Sequence, residues 1–293
     1  MRILKTIFAL LLIFPLGLSA CRQKPSANES LSASQTAGSP DAPPATENLK
    51  ILPGMKIRLS QKGMGTGEKI FFSDQGVSRT LKMENAIGAE GISFSWASDN
   101  NEGANAKDVA AKSTEGHMTL ANLVGARQMT LPAFWPAGDL FLSNSSAIWL
   151  SDQAFQDLKK SHQTSWQLGL KSDSLMGEAQ GFKLLEESLK GFQQGLQADE
   201  KKQQAATIFE GGKRSKAFPV KINGKDSEVE AIEAENSVAR LKILDNPQNP
   251  LILQVELNPT DSVGGVLFSP LTMLKPFLEY KVEEIDLPRV GEK

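Results

Sequence analysis

The chain has 293 residues, of which 40% are hydrophobic and 23% are charged, as in ordinary proteins with a folded core. A net charge of -2 and a pI of about 5.9 argue against the strongly basic surface of a nucleic-acid-binding protein. A single cysteine excludes an intrachain disulfide, so the hydrophobic core has to supply the stability.

Residues 1–20 predict an export signal. Arg2 and Lys5 precede an apolar run at residues 7–16, which is shorter than the roughly 20 residues that span a bilayer. The run is followed by the tetrapeptide Leu-Ser-Ala-Cys, which ends at Cys21. This ending resembles the lipobox of bacterial lipoproteins. A retained membrane anchor and an ordinary signal peptide are the alternatives.

The resemblance covers residues 1–21 and implies that Cys21 carries a lipid and becomes the mature N-terminus. It also implies a protein of the cell envelope whose first partner is the membrane that holds its acyl chains. Arg22 stands where members of this class kept at the inner membrane have Asp, so we expect the outer membrane, on its periplasmic side. Apart from the covalent lipid, no cofactor is expected.

The segment 21–48 predicts a lipidated, disordered tether. It is rich in Ser, Ala, Pro, Thr and Asn, and Leu31 is its one large aliphatic residue. Such a segment buries too little apolar surface to offset the entropy of ordering it. Beyond it we expect a β-rich region at 49–175, then a helix and an antiparallel meander at 176–293, as two domains or as one.

Period-two alternation of apolar and polar residues dominates the rest of the chain and predicts half-buried antiparallel strands. The clearest are 92–96, 217–222, 225–234, 238–244, 251–257 and 277–287. Asn223-Gly224 predicts a tight hairpin, and the phase slip at Glu283-Glu284 predicts a β-bulge. The expected fold is mainly β, a sandwich or curved sheet with two or three helices packed on it.

Two helices are predicted. Ser151 is a good N-cap for the first, with Leu150 and Phe155 placed as a hydrophobic staple. The second covers about 178–204 and carries an apolar stripe at spacings of 3 and 4. We interpret the stripe as a face packed on a sheet; the alternative is a lid or groove over an apolar ligand. The stripe consists of Phe182, Leu185, Leu189, Phe192 and Leu196.

No motif predicts catalysis or metal binding. His117 and His162 share no metal-ligand spacing, and serine-hydrolase and P-loop patterns are missing. Acidic pairs such as Glu233 and Glu235 could supply two carboxylates for hydrolysis, so a carboxylate-based hydrolase is a minor alternative. We therefore expect a protein that is not an enzyme, with no catalytic residues and no metal.

Two surface features remain as candidates for interaction. Phe134 and Trp135 lie between prolines and a glycine, and predict either core packing or an exposed aromatic loop that binds a partner. The run 211–216, Gly-Gly-Lys-Arg-Ser-Lys, predicts an exposed basic loop. The alternative is a loop that binds anionic lipid headgroups or phosphate.

Taken as a whole, the sequence favours a lipid-anchored, non-catalytic binding or scaffolding module of the cell envelope. Its expected partner is another envelope protein. A periplasmic carrier of a lipid or other apolar ligand is the main alternative, because a curved sheet covered by a helix makes a good apolar container.

Overall fold

The structure is a computed structural model. It describes residues 45–61, 77–98, 113–135, 137–142, 144–169, 200–258 and 278–288, with isolated positions at 190, 194 and 275. Three helices are described: α1 Leu120–Gly125, α2 Asp152–Ser161 and α3 Glu200–Thr207. The strands are β1 Lys56–Gln61, β2 Val77–Met83, β3 Ile92–Ser98, β4 Thr114–Met118, β5 Gln128–Thr130, β6 Gly138–Phe141, β7 Ser145–Ser146, β8 Gln163–Ser165, β9 Gln167–Gly169, β10 Ile208–Ile222, β11 Lys225–Glu235, β12 Ala239–Leu244, β13 Ile252–Leu257 and β14 Tyr280–Asp286.

The predicted β-rich fold is confirmed. An 11-stranded sheet runs in the order β6-β4-β3-β2-β1-β14-β13-β12-β11-β10-β8, and β7, β5 and β9 form a second, three-stranded sheet. Strands from both sides of the predicted boundary at residue 176 therefore belong to one sheet. Most of its pairings are antiparallel; β4–β6 and β10–β14 are parallel.

The last five strands form the predicted meander and also close on themselves. One edge of β14 pairs with β13 at Lys281 and with the end of β10 at Glu284. The strands β10 to β14 are thus joined in a ring, while the other edge of β14 pairs with β1. This pairing makes the large sheet strongly curved, as the sequence suggested.

Local predictions in this meander are confirmed. Asn223 and Gly224 both have positive φ, 52° and 78°, as a two-residue hairpin with a type I′ turn requires. The bulge is also present: Arg58 pairs with Glu284 but Leu59 pairs with Val282, so the residue between them, Glu283, is extra.

Helix α2 begins as its sequence predicts. The Ser151 hydroxyl accepts a hydrogen bond from the Ala154 amide, and Leu150 and Phe155 are both buried. His162 closes the helix in the left-handed conformation at φ 59°. The helix packs against β8 and β10, and its C-terminus lies beside the N-terminal part of β10, at Gly211 and Gly212.

Aromatic rings fill the core on the β3 side. The Phe94 ring lies 5.3 Å from Trp135 and 6.3 Å from Trp149, and Trp96 meets Trp135 edge to face at 5.0 Å between centroids. All four are at most 6% exposed. Pairs in this geometry add about 0.5–1.5 kcal/mol beyond burial, so this cluster is a main source of stability.

Arg79 is a charged residue on the buried face of β2. Its neighbours on that face, Leu81 and Met83, are fully buried. Its guanidinium lies over the Trp96 ring at 5.8 Å, and among the described residues it has no carboxylate partner. Burial alone lowers the pKa of Arg79, which means that the surroundings disfavour its charged form.

We expect Arg79→Met to stabilise the protein by about 1 kcal/mol, because it removes a poorly solvated charge and keeps an apolar stem of similar length. Urea unfolding would measure the change. Arg58→Met is the matched control; Arg58 is more exposed and its Nη1 lies 2.6 Å from Glu284, so its removal should cost less than about 1 kcal/mol. Destabilisation by Arg79→Met would mean that the stacking on Trp96 outweighs the buried charge.

Candidate functional site: a basic groove at a strand bulge

The basic run at residues 211–216 is not a free loop; it is a wide bulge inside β10. Gly211 lies opposite Ala234 of β11, and Ser215 lies opposite Ile232. Three residues of β10 between these pairs therefore face one residue of β11. Such a bulge turns side chains out of the sheet, and Lys213 and Arg214 are both exposed.

Two glycines allow this bulge. A Cβ at Gly211 would collide with the Glu233 carbonyl oxygen across the strand pair. Gly212 has φ 75°, and a Cβ there would lie 2.6 Å from the Leu158 carbonyl oxygen in the last turn of α2. The Gly211 amide also donates to the His162 carbonyl at 3.0 Å. The bulge is therefore pressed against the end of α2 and held there by backbone contacts.

Asp245 anchors the C-terminal side of the bulge. Its carboxylate accepts a hydrogen bond from the Ser215 hydroxyl, and the Lys159 Nζ of α2 lies 2.9 Å from both of its oxygens. The Asp245 side chain is only 12% exposed, so solvent screens this contact less than a free surface pair. Helix, bulge and the β12–β13 connection are thus tied together.

An open groove of about 1470 Å³ runs beside the bulge. It is bounded by the end of α2, by α3, and by parts of β10, β11 and β12. Five lysine and arginine side chains and three glutamates line it, so cations are in excess. These charged residues are Lys201, Lys213, Arg214, Lys216, Arg240, Glu210, Glu233 and Glu235.

The carboxylates on β11 are already engaged by cations. Lys216 Nζ lies 2.6 Å from Glu233, and Arg240 donates from two nitrogens to Glu235 at 3.1 and 3.2 Å. The hydrogen bond from Lys216 lowers the pKa of Glu233, partly offset by desolvation. In contrast, no described residue forms a hydrogen bond or ion pair with the side chain of Lys213 or Arg214. These two cations are available to an external ligand.

Of the two alternatives predicted for Phe134 and Trp135, core packing or an exposed loop, Trp135 shows core packing. Its ring is 6% exposed and its Nε1 donates to the Thr130 carbonyl at 2.8 Å, so this side chain offers no exposed surface to a partner. The side chain of Phe134 lies outside the described part. The lone large aromatic with a mostly exposed side chain in that part is Phe141, which is 87% exposed.

The other predicted site residues are not described. Cys21 and the apolar stripe Phe182, Leu185, Leu189, Phe192 and Leu196 lie outside the described residues. Lys190 and Gln194, on the same predicted helix, are helical and exposed. Helix α3, Glu200–Thr207, overlaps the end of the predicted range 178–204, and Lys201 and Gln204 on it line the groove.

The two histidines lie on different elements of the described structure. His117 is exposed on β4, where its Nδ1 lies 3.1 Å from the Ser93 hydroxyl, and His162 is the C-cap of α2. Within the described ranges, no three His, Cys, Asp or Glu side chains gather as a metal site would require. None of the helices in that part has the length and apolar character needed to cross a bilayer.

Comparison with protein-family models, with curated proteins and with solved structures finds no match to this chain.

Proposed function

We propose that this protein is a non-catalytic binding module of the bacterial cell envelope, held at the outer membrane by a lipid on Cys21. Its binding surface is the basic groove beside the bulge of β10. The observation that carries the proposal is a bulge held by backbone contacts at the wall of an open groove, with two exposed cations, Lys213 and Arg214, that have no partner among the described residues. Rigid placement lowers the entropic cost of binding.

The charges in the groove favour binding over hydrolysis. A carboxylate-based hydrolase needs one acid with a raised pKa beside an ionised partner. Glu233 and Glu235 are both paired with cations, and the pKa of Glu233 is lowered. This arrangement holds the Glu233 carboxylate ionised and both carboxylates in contact with cations, which suits a binding surface better than an acid–base pair.

Core packing favours surface binding over carriage of an apolar ligand. The buried faces of β12 and β13 carry Leu241, Ile243 and Val255, each at most 1% exposed. Side chains that pack this closely leave no room for an acyl chain between them. The groove, in contrast, is open and lined by eight charged side chains, so a charged or polar partner suits it.

The anchor is tested with Cys21→Ser in the full-length chain. We expect loss of acyl labelling and release of the protein from the membrane to the soluble fraction, because a protein without its acyl chains loses its anchor. Fractionation of cells labelled with palmitate would measure both. Leu31→Ala, in the predicted tether, is the control and should leave labelling and fractionation unchanged. Persistent membrane association of Cys21→Ser without labelling would contradict a lipid anchor.

The groove is tested with a photoreactive residue placed at Ser237, an exposed groove residue. We expect ultraviolet light to trap an envelope component there. The same residue at Lys56, which is exposed on β1 and outside the groove, is the control. Equal yields at both positions would mean that the groove is not the binding surface.

A further inference from the structure

Three exposed cations that have no ion-pair partner among the described residues lie at one corner of the domain. Lys213 and Arg214 project from the bulge, and Lys160 is exposed in the last turn of α2, against which the bulge packs. No side chain in the described part of the structure forms an ion pair with any of them. Glu210, an exposed carboxylate of the groove, likewise has no ion-pair partner in the described part of the chain.

The described chain begins at this same corner. The Thr46 hydroxyl accepts a hydrogen bond from the Glu230 amide at 2.9 Å, and the Glu230 carbonyl accepts one from the Asp245 amide at 2.8 Å. The Asp245 carboxylate in turn holds Ser215, the residue that follows Arg214. Neighbouring contacts therefore connect the start of the folded part to the basic bulge.

We propose that this corner, defined by Lys160, Lys213 and Arg214, docks on the anionic phosphate headgroups of the membrane that holds the anchor. This inference rests on the proposed function, because a lipid on Cys21 tethers the domain through the chain that enters beside Thr46. The anchor then restrains the corner that carries the unpaired cations. Cations close to an anionic bilayer are attracted to it strongly, and the attraction weakens with salt.

The test uses the mature chain from residue 21 onward with Cys21→Ser, so that neither an acyl chain nor the apolar run at residues 7–16 contributes to binding. We expect it to float with vesicles of phosphatidylcholine mixed with phosphatidylglycerol, and not with vesicles of phosphatidylcholine alone. High ionic strength should release it. Adding Lys213→Glu and Arg214→Glu should weaken binding by about tenfold or more, because two attractive charges become repulsive.

Two further variants separate local docking from net charge. Lys56→Glu with Lys221→Glu changes the net charge by the same amount at exposed positions away from the groove, and should lower binding much less. Glu210→Gln removes the unpaired carboxylate beside the bulge and should strengthen binding. Equal loss in both double variants, or no binding to anionic vesicles, would overturn the docking surface.

Failure of this inference and failure of the proposed function are distinguishable. If Ser237 traps a protein while the anionic vesicles bind nothing, the module binds a protein partner in the groove and the membrane proposal is wrong. If acyl labelling of Cys21 fails, the tether is wrong, whatever the vesicles show. If vesicles compete with trapping at Ser237, headgroups and partner share the groove, which supports both proposals.

Discussion

Trp149→Ala is expected to destabilise the protein by about 4 kcal/mol, within the range for truncating a fully buried tryptophan. The Trp149 ring is 1% exposed, and its Nε1 donates to the Asn249 Oδ1 at 2.9 Å. Asn249 is itself fully buried and donates to the Leu49 carbonyl at 3.0 Å. Removing the indole therefore opens a cavity and also breaks a contact between three distant parts of the chain.

Urea unfolding, followed by circular dichroism, would measure this loss. Trp149→Phe keeps most of the ring but leaves Asn249 without its donor, so we expect a smaller loss, about 1–3 kcal/mol. Phe141→Ala is the matched control: its ring is 87% exposed, so its truncation should change stability by less than about 0.5 kcal/mol. A loss below about 1 kcal/mol for Trp149→Ala would contradict the packing described for this cluster.

Gly212→Val is expected to cost about 3 kcal/mol and to weaken binding in the groove. Its φ of 75° is strained for a β-branched residue, and the new Cβ would lie 2.6 Å from the Leu158 carbonyl oxygen, a backbone atom that cannot rotate away. Either the bulge or the end of α2 has to shift, and either shift displaces Lys213 and Arg214.

Gly125→Ala is the matched glycine control. Gly125 is the last residue of α1, and a Cβ there would meet nothing within 4 Å. We expect this change to be neutral or to stabilise by roughly 0.5–1 kcal/mol. Thermal unfolding would compare the two variants, and vesicle flotation would follow binding. Should Gly212→Val unfold and bind like the unsubstituted chain, the bulge does not depend on its glycine.

Short-range sequence signals were sufficient to predict local structure wherever the residues favour one backbone conformation over all others. Asn223-Gly224 predicted the hairpin because few other dipeptides accept two positive φ angles, and Ser151 predicted the start of α2 because its hydroxyl satisfies an amide that the helix leaves free. The phase slip at Glu283 likewise marked the bulge, since strand alternation allows no other explanation within one continuous strand.

The bulge at Gly211 and Gly212 was missed because the sequence around it has no strand periodicity. Residues 208–216 form the N-terminal part of β10, although the alternation becomes clear only from Ala217. This part is held by pairing with β8 and β11 and by the end of α2, and these contacts come from residues far away in the chain. Local pattern therefore predicted a loop, while long-range pairing made a strand.

Composition, alternation and turn chemistry in the sequence were enough to establish a β-rich chain with its hairpin, its meander and its capped helix, because each depends on residues a few positions apart. Tertiary structure decided the rest: the closure of β10 against β14, the burial of Trp135 and the groove that brings Arg214 and Arg240 together. These features depend on which distant strands pair and which faces are buried, and a single sequence carries no local signal for either.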